Sequence, residues 1–93
     1  MTPEGHRTLE TWLTALVATP GLTALRDLDD ARRSLLDDAL RGAELVEREQ
    51  GRVVDVGSGG GTPGIPLAVA LPERTVTLLE AERRKCAFLE RWL

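Results

Sequence analysis

With 93 residues the chain is enough for one small domain, and its 42% hydrophobic and 29% charged content excludes an extended disordered chain. The formal net charge of −3 excludes a protein built to coat nucleic acid nonspecifically, so any RNA contact must be local or lie on further sequence. A single cysteine, Cys86, excludes an internal disulfide and any multi-cysteine zinc site, and no metal ligand set is expected.

The chain opens on Thr2-Pro3-Glu4, a capping hydroxyl followed by proline at the first helical position. Leu9, Trp12, Leu13, Leu16 and Val17 recur at helical spacing, and Thr19-Pro20-Gly21 ends this helix. Its longest apolar run, Trp12 to Ala18 broken by Thr14, is far too short to span a bilayer. Glu4 and Glu10 precede that run and no clean cleavage site follows it, so no signal peptide is expected and the cytoplasm is the default compartment.

A second apolar stripe runs Leu28, Ala31, Leu35, Leu36, Ala39, Leu40, Ala43, Val46, with Asp30, Arg33, Asp37, Arg41 and Glu44 on a solvated opposite face. Glu49-Gln50-Gly51 closes it. The periodicity then changes. Arg52 to Val56 is a short β-branched run that predicts a buried parallel strand. Pro63-Gly64 opens a helix through Leu71 that is apolar on nearly all sides, and Pro72-Glu73 turns the chain into a second strand, Thr75 to Leu79. A last helix, Glu82 to Leu93, places Phe88, Leu89, Trp92 and Leu93 on one face. Strand, helix, strand, helix predicts a right-handed crossover and a parallel sheet. The fold class expected is α/β, with a helical segment over residues 1–50 and a parallel-sheet segment over 51–93. The pattern breaks off inside a helix, which predicts an N-terminal piece of a longer protein.

The chemistry concentrates between Val53 and Gly64, where a strand runs into Gly57-Ser58-Gly59-Gly60-Gly61 and then into a helix. A phosphate loop is excluded, because Ile65-Pro66 stand where lysine and a hydroxyl residue should follow the last glycine. G-x-G-x-x-G can be laid on Gly59, Gly61 and Gly64 as a dinucleotide fingerprint, but the apolar run ends earlier, at Val56. G-x-G-x-G on Gly57, Gly59 and Gly61 fits S-adenosylmethionine. Asp55, two residues before the turn, repels a pyrophosphate and suits the ammonium of a methionine group. Glu80 ends the next strand, where an acid accepts from ribose hydroxyls, and it serves either cofactor. The competing structural reading makes the glycines a tight turn and Asp55 and Glu80 helix-capping or surface acids.

These residues carry a family resemblance. Asp55 through Ala68, above all the extension Pro63-Gly64-Ile65-Pro66-Leu67-Ala68, resembles the glycine motif of the RsmG (GidB) methyltransferases. Thr77-Leu78-Leu79-Glu80, then Arg83-Arg84-Lys85 and Phe88-Leu89, resembles that family's second strand and the basic helix after it. Leu22-Thr23-Ala24-Leu25 and Leu35-Leu36-Asp37 match its N-terminal helices more loosely. The resemblance implies an incomplete Rossmann-like class I methyltransferase fold, N-terminal helices followed by βαβα. It implies methyl transfer from S-adenosylmethionine to N7 of a guanine in 16S ribosomal RNA, with the small ribosomal subunit or its RNA as partner.

Carried over by position, Gly57 and Thr62 would contact the cofactor and Glu80 would hold its ribose. Thr62 stands where the family usually has a bulky apolar residue, Ser34 where it often has histidine, and Leu16-Val17 where it often has tryptophan-asparagine. The candidate cofactor residues are Asp55, Gly57, Ser58, Gly59, Gly61, Thr62 and Glu80, and no catalytic residue is assigned in this chain. The alternatives are a nonenzymatic or nucleotide-binding remnant and a fragment of an NAD-dependent dehydrogenase.

Other residues have plainer readings. His6 is an exposed helix residue near the terminus and Cys86 a small half-buried packing residue. Trp12 and Trp92 belong to the core. Arg83, Arg84, Lys85 and Arg91 meet either RNA phosphate or solvent.

Overall fold

The structure, a computed structural model, describes all residues from Met1 to Leu93. Helix α1 spans Pro3–Ala18 and starts as the sequence dictates: the Thr2 hydroxyl accepts the Gly5 N–H at 3.0 Å, and Pro3 occupies the first turn. After a turn through Pro20 and Gly21 comes α2, Leu28–Ala31, capped by Asp27, whose Oδ1 accepts the N–H groups of Asp29 and Asp30. It runs directly into a π-helical stretch, Arg32–Asp37, and then α3, Asp38–Glu47.

The sequence pattern predicts one uninterrupted α-helix over this span, and the structure departs from it at the π segment. Within that segment the Asp38 N–H reaches back five residues to the Arg33 carbonyl, which widens the helix by one residue per turn. The stripe carried adjacent apolar pairs, Leu35-Leu36 and Ala39-Leu40, and so tolerates the extra residue. Leu36 and Ala39 are buried, while Leu35 and Leu40 are half-buried against the same core. Arg32 fixes the start of the widened turn against α1, with a two-pronged bond to Glu10 at 2.8 and 2.9 Å.

Strands β1, Val53–Val56, and β2, Val76–Leu79, pair in parallel with Val53 opposite Val76 and Val56 opposite Leu79. Between them lies α4, Gly64–Ala70, and after them α5, Arg83–Glu90. Arg74 secures the entry to β2. Its guanidinium donates to the carbonyls of Val46, Glu49 and Gly51, and so ties β2 to the last turn of α3 and the loop after it.

The expectation of a buried strand fails on one face. Val53 and Asp55 point toward the helices, but Val54 is 52% and Val56 78% exposed, and Leu79 is 50% exposed. Side chains alternate across a strand, and none of these 93 residues forms a layer on the second face. Leu93, expected on the apolar face of α5, is also exposed.

The main core joins Leu9, Trp12, Leu13 and Leu16 of α1 with Ala31, Leu36, Ile65, Phe88 and Leu89. It therefore crosses the line between residues 1–50 and 51–93. A smaller cluster of Ala43, Leu67 and Leu71 seals α3 against α4. No helix is long and apolar enough to cross a membrane.

Candidate cofactor site at the strand ends

The carboxyl ends of β1 and β2 lie side by side, and the chain leaves β1 through the glycine turn. The N–H groups of Gly57 and Ser58 both donate to the Leu79 carbonyl, at 2.8 and 3.0 Å, so the turn is stitched to the last residue of β2. Gly57, Gly59 and Gly61 hold φ of +72°, +57° and +108°, a region that side chains disfavour.

The glycines of this turn divide into two kinds. A Cβ on Gly60 would sit 2.2 Å from Leu16 Cδ1, one on Gly61 2.5 Å from Ile65 Cδ1, and one on Gly64 2.1 Å from Leu78 Cδ2. Those three are required by close packing against α1, α4 and β2. A Cβ on Gly57 would meet nothing within 4 Å, and one on Gly59 only the Gly57 carbonyl at 4.0 Å. Gly57 and Gly59 therefore present bare backbone to open space. A shallow depression of about 470 Å³ lies beside Gly57, lined by Val56, Gly57, Leu79, Glu80 and Ala81.

Glu80 stands at its rim. Oε1 accepts the Gly59 N–H at 2.7 Å and Oε2 the Glu82 N–H at 2.9 Å. The Glu82 and Gly59 amides together hold its carboxyl below the usual carboxylate range, so it is ionised at neutral pH. Each oxygen keeps a second lone pair for another donor. Cys86 Sγ lies 3.0 Å from the Glu80 carbonyl and ties α5 to this rim, which adds a hydrogen bond to its packing role.

Asp55 lies behind the turn. Its Oδ2 accepts the Gly64 N–H at 3.1 Å, so this carboxylate caps the first turn of α4. Burial pushes its pKa up, and the Gly64 amide pulls part of the way back. Ser58 is buried, with its hydroxyl donating to the Asp55 carbonyl at 2.9 Å. The Thr62 hydroxyl donates to the Leu35 carbonyl in the π segment at 2.7 Å. The candidate residues thus fall into three places: Gly57 and Glu80 lining the depression with Gly59 bonded to Glu80, Asp55 and Ser58 behind the turn, and Gly61 and Thr62 on the side facing the N-terminal helices.

One contributor was not foreseen. Trp12, wholly buried in α1, donates its indole N–H to the Gly60 carbonyl at 2.8 Å, across 48 residues of sequence. A buried tryptophan needs a partner for its one polar group, and that was the available signal. The cations after Glu80 also separate. Lys85 pairs with Glu82 at 3.1 Å, while Arg83 and Arg84 stay exposed and unpaired. No group of three or more His, Cys, Asp or Glu side chains is arranged to hold a metal ion.

A sequence model of the family described as "rRNA small subunit methyltransferase G" (GidB) matches residues 7–92. The chain belongs to the GidB family. Among its relatives named ribosomal RNA small subunit methyltransferase G, that of Ralstonia nicotianae is 52% identical over 75 residues, covering 73% of this chain and 34% of the relative. That of Hydrogenovibrio crunogenus is 46% identical over 71 residues, covering 76% and 32%. That of Pseudomonas putida is 39% identical over 92 residues, covering 96% and 43%. The chain thus spans about a third of the length of the first two GidB relatives and 43% of the third. No solved structure matches it.

Proposed function

We propose that the full-length protein transfers a methyl group from S-adenosylmethionine to N7 of a guanine in 16S ribosomal RNA, in the cytoplasm, and that this chain is the first part of its Rossmann-like class I cofactor domain. The observation that carries the reading is the open face of the glycine turn. Gly57 and Gly59 leave backbone uncovered beside an ionised Glu80 at the carboxyl ends of two parallel strands, where ligands of open α/β sheets bind.

The residues fit the cofactor. Glu80 keeps acceptor capacity for ribose hydroxyls, and Gly57 and Gly59 admit a ligand to backbone distance. Asp55 puts negative charge behind the turn, which favours a ligand bearing an ammonium and sulfonium over one bearing a pyrophosphate. When bound, S-adenosylmethionine supplies an activated methyl on a good leaving group. The N7 lone pair of guanine needs no proton removed before it reacts, so no residue of this chain has to act as a base. What these residues contribute is position, with Glu80 and the turn holding one reactant still.

Radiolabelled S-adenosylmethionine and small-subunit RNA incubated with the full-length protein test the reading. Label recovered at a guanine N7 is expected. Label on another atom would correct the target, and no transfer alongside tight NAD binding would overturn the cofactor.

A further inference from the structure

Several cations on helices of this chain meet an acid three residues before them. Arg32 pairs with Asp29, Arg33 with Asp30, Arg41 with Asp38 and Lys85 with Glu82. Arg7 and Arg48 form no such pair, and neither do three arginines clustered at α5. Arg84 has Ala81 at that position and Arg91 has Phe88, while Arg83 has Glu80 there but forms no ion pair with it; the bonds of that carboxylate go to the Gly59 and Glu82 amides.

At about 100° of turn per residue, Arg83, Ala87, Arg91 and Arg84 fall in that order within one arc of about 100°. All four are exposed, and Glu90 borders the arc as its one acid. Phe88 and Leu89 turn inward, and Lys85 lies on the far side of the helix from the arc's centre. Ala87, the smallest side chain of the group, leaves the three guanidinium groups access to one ligand. Arg91 is held in place, with its guanidinium carbon 5.4 Å from the Phe88 ring centre and 5.6 Å from that of Trp92. Stacking engages the flat face of a guanidinium and leaves its N–H edges for acceptors. Arg83 and Arg84 also sit in the first turn of α5, where the helix dipole disfavours cations, so their placement is not explained by the helix itself.

We propose that Arg83, Arg84 and Arg91 form a phosphate-binding face for the backbone of single-stranded RNA, beginning three residues after Glu80. This rests on the methyltransferase reading for the identity of the partner. It confines RNA contact in an acidic chain to one helix face, and it places Lys85 outside that face.

The test uses the full-length protein and a fluorescein-labelled single-stranded oligoribonucleotide, with anisotropy titrations over a series of KCl concentrations. The triple variant Arg83→Gln, Arg84→Gln, Arg91→Gln keeps most of each side-chain stem. It should weaken binding and make the salt dependence shallower by about 2 in log–log slope, roughly 0.7 for each lost phosphate contact. Arg83→Lys, Arg84→Lys, Arg91→Lys should keep the wild-type slope, which guards against a folding defect at Arg91. Lys85→Gln should keep it too. Wild-type affinity and slope in the triple glutamine variant would overturn the proposal, as would an equal loss in Lys85→Gln. Calorimetry with S-adenosylmethionine runs in parallel. If the wild-type protein bound none, the cofactor reading would fail, while the RNA slopes would still decide the arginine face.

Discussion

Helix α1 and strand β1 differ sharply in how they bury apolar side chains. Leu9, Trp12, Leu13 and Leu16 are each 1% exposed or less, whereas Val54 and Val56 are more than half exposed. The glycine turn lies between these two regimes. Its inner side is pinned to the N-terminal helices by the Trp12 bond to Gly60, by Leu16 against Gly60, and by the Thr62 bond to Leu35. On its outer side, Gly57 and Gly59 have open space where a side chain would stand. The helical segment therefore braces the inner side of the glycine turn, and under the proposed function the turn's outer side and Glu80, just past the strand ends, would face the ligand.

If that division is right, damage to the inner side should appear as lost stability and damage to the outer side as lost affinity. Trp12→Ala is expected to do the most, costing about 3–5 kcal/mol in the full-length protein by urea denaturation, as for other buried aromatic truncations. Trp12→Phe keeps most of the packing but strands the Gly60 carbonyl, at about 1–3 kcal/mol. A Trp12→Phe variant as stable as wild type would show that the helices do not hold the turn.

The paired glycines sharpen the same contrast. Gly60→Ala forces a methyl into the buried Leu16 and should cost about 1–3 kcal/mol. Gly57→Ala meets no neighbour, so its stability loss is confined to positive-φ strain of about 1 kcal/mol, while S-adenosylmethionine affinity falls. Denaturation and calorimetry on both variants read the two effects separately. Equal ligand losses with equal stability losses would erase the distinction between the faces.

The sequence shows one half of this arrangement more readily than the other. Element order, the parallel pairing and the turn are written in local signals: Thr2-Pro3, the change of period at Arg52, and four glycines in five positions. The π segment is not, because its stripe satisfies a 3.6-residue repeat as well as a wider one. The exposure of Val54 and Val56 is not legible either, since a β-branched run specifies a strand and leaves open what covers each face. Among site residues, Gly57 and Glu80 stand out by position. The capping bond of Asp55 to Gly64 and the inward hydroxyls of Ser58 and Thr62 depend on tertiary neighbours 3 to 27 residues away, which no spacing rule encodes.

Asp55 offers a smaller effect of opposite sign to its neighbours. Burial raises its pKa, so its ionisation opposes folding; that contribution to stability is present below its unfolded pKa and is lost as pH rises through the folded one. Glu10, held down by its bond to Arg32, and Glu80 carry the reverse sign. Their stabilisation is present above the unfolded pKa and is lost as pH falls through the folded value. Asp55→Asn, which can still accept the Gly64 N–H, should leave stability at neutral pH equal or higher while weakening S-adenosylmethionine binding. A stability loss without an affinity change would make Asp55 a helix cap and nothing more. Smallest of all, Cys86→Ala removes one weak bond to the Glu80 carbonyl. It should lower stability by less than about 1 kcal/mol with methyl transfer nearly intact, whereas lost activity at unchanged stability would mean a chemical role for the thiol.

The central claim is that Glu80 and the outer face of the glycine turn hold S-adenosylmethionine. Calorimetric titration of S-adenosylmethionine and of NAD into full-length wild-type protein and Glu80→Ala tests it most directly. The account predicts that S-adenosylmethionine binds the wild type more tightly than NAD does, and that the variant loses at least about tenfold in affinity with the removal of a charged acceptor. Unchanged affinity in Glu80→Ala, or tighter binding of NAD by the wild type, would contradict it.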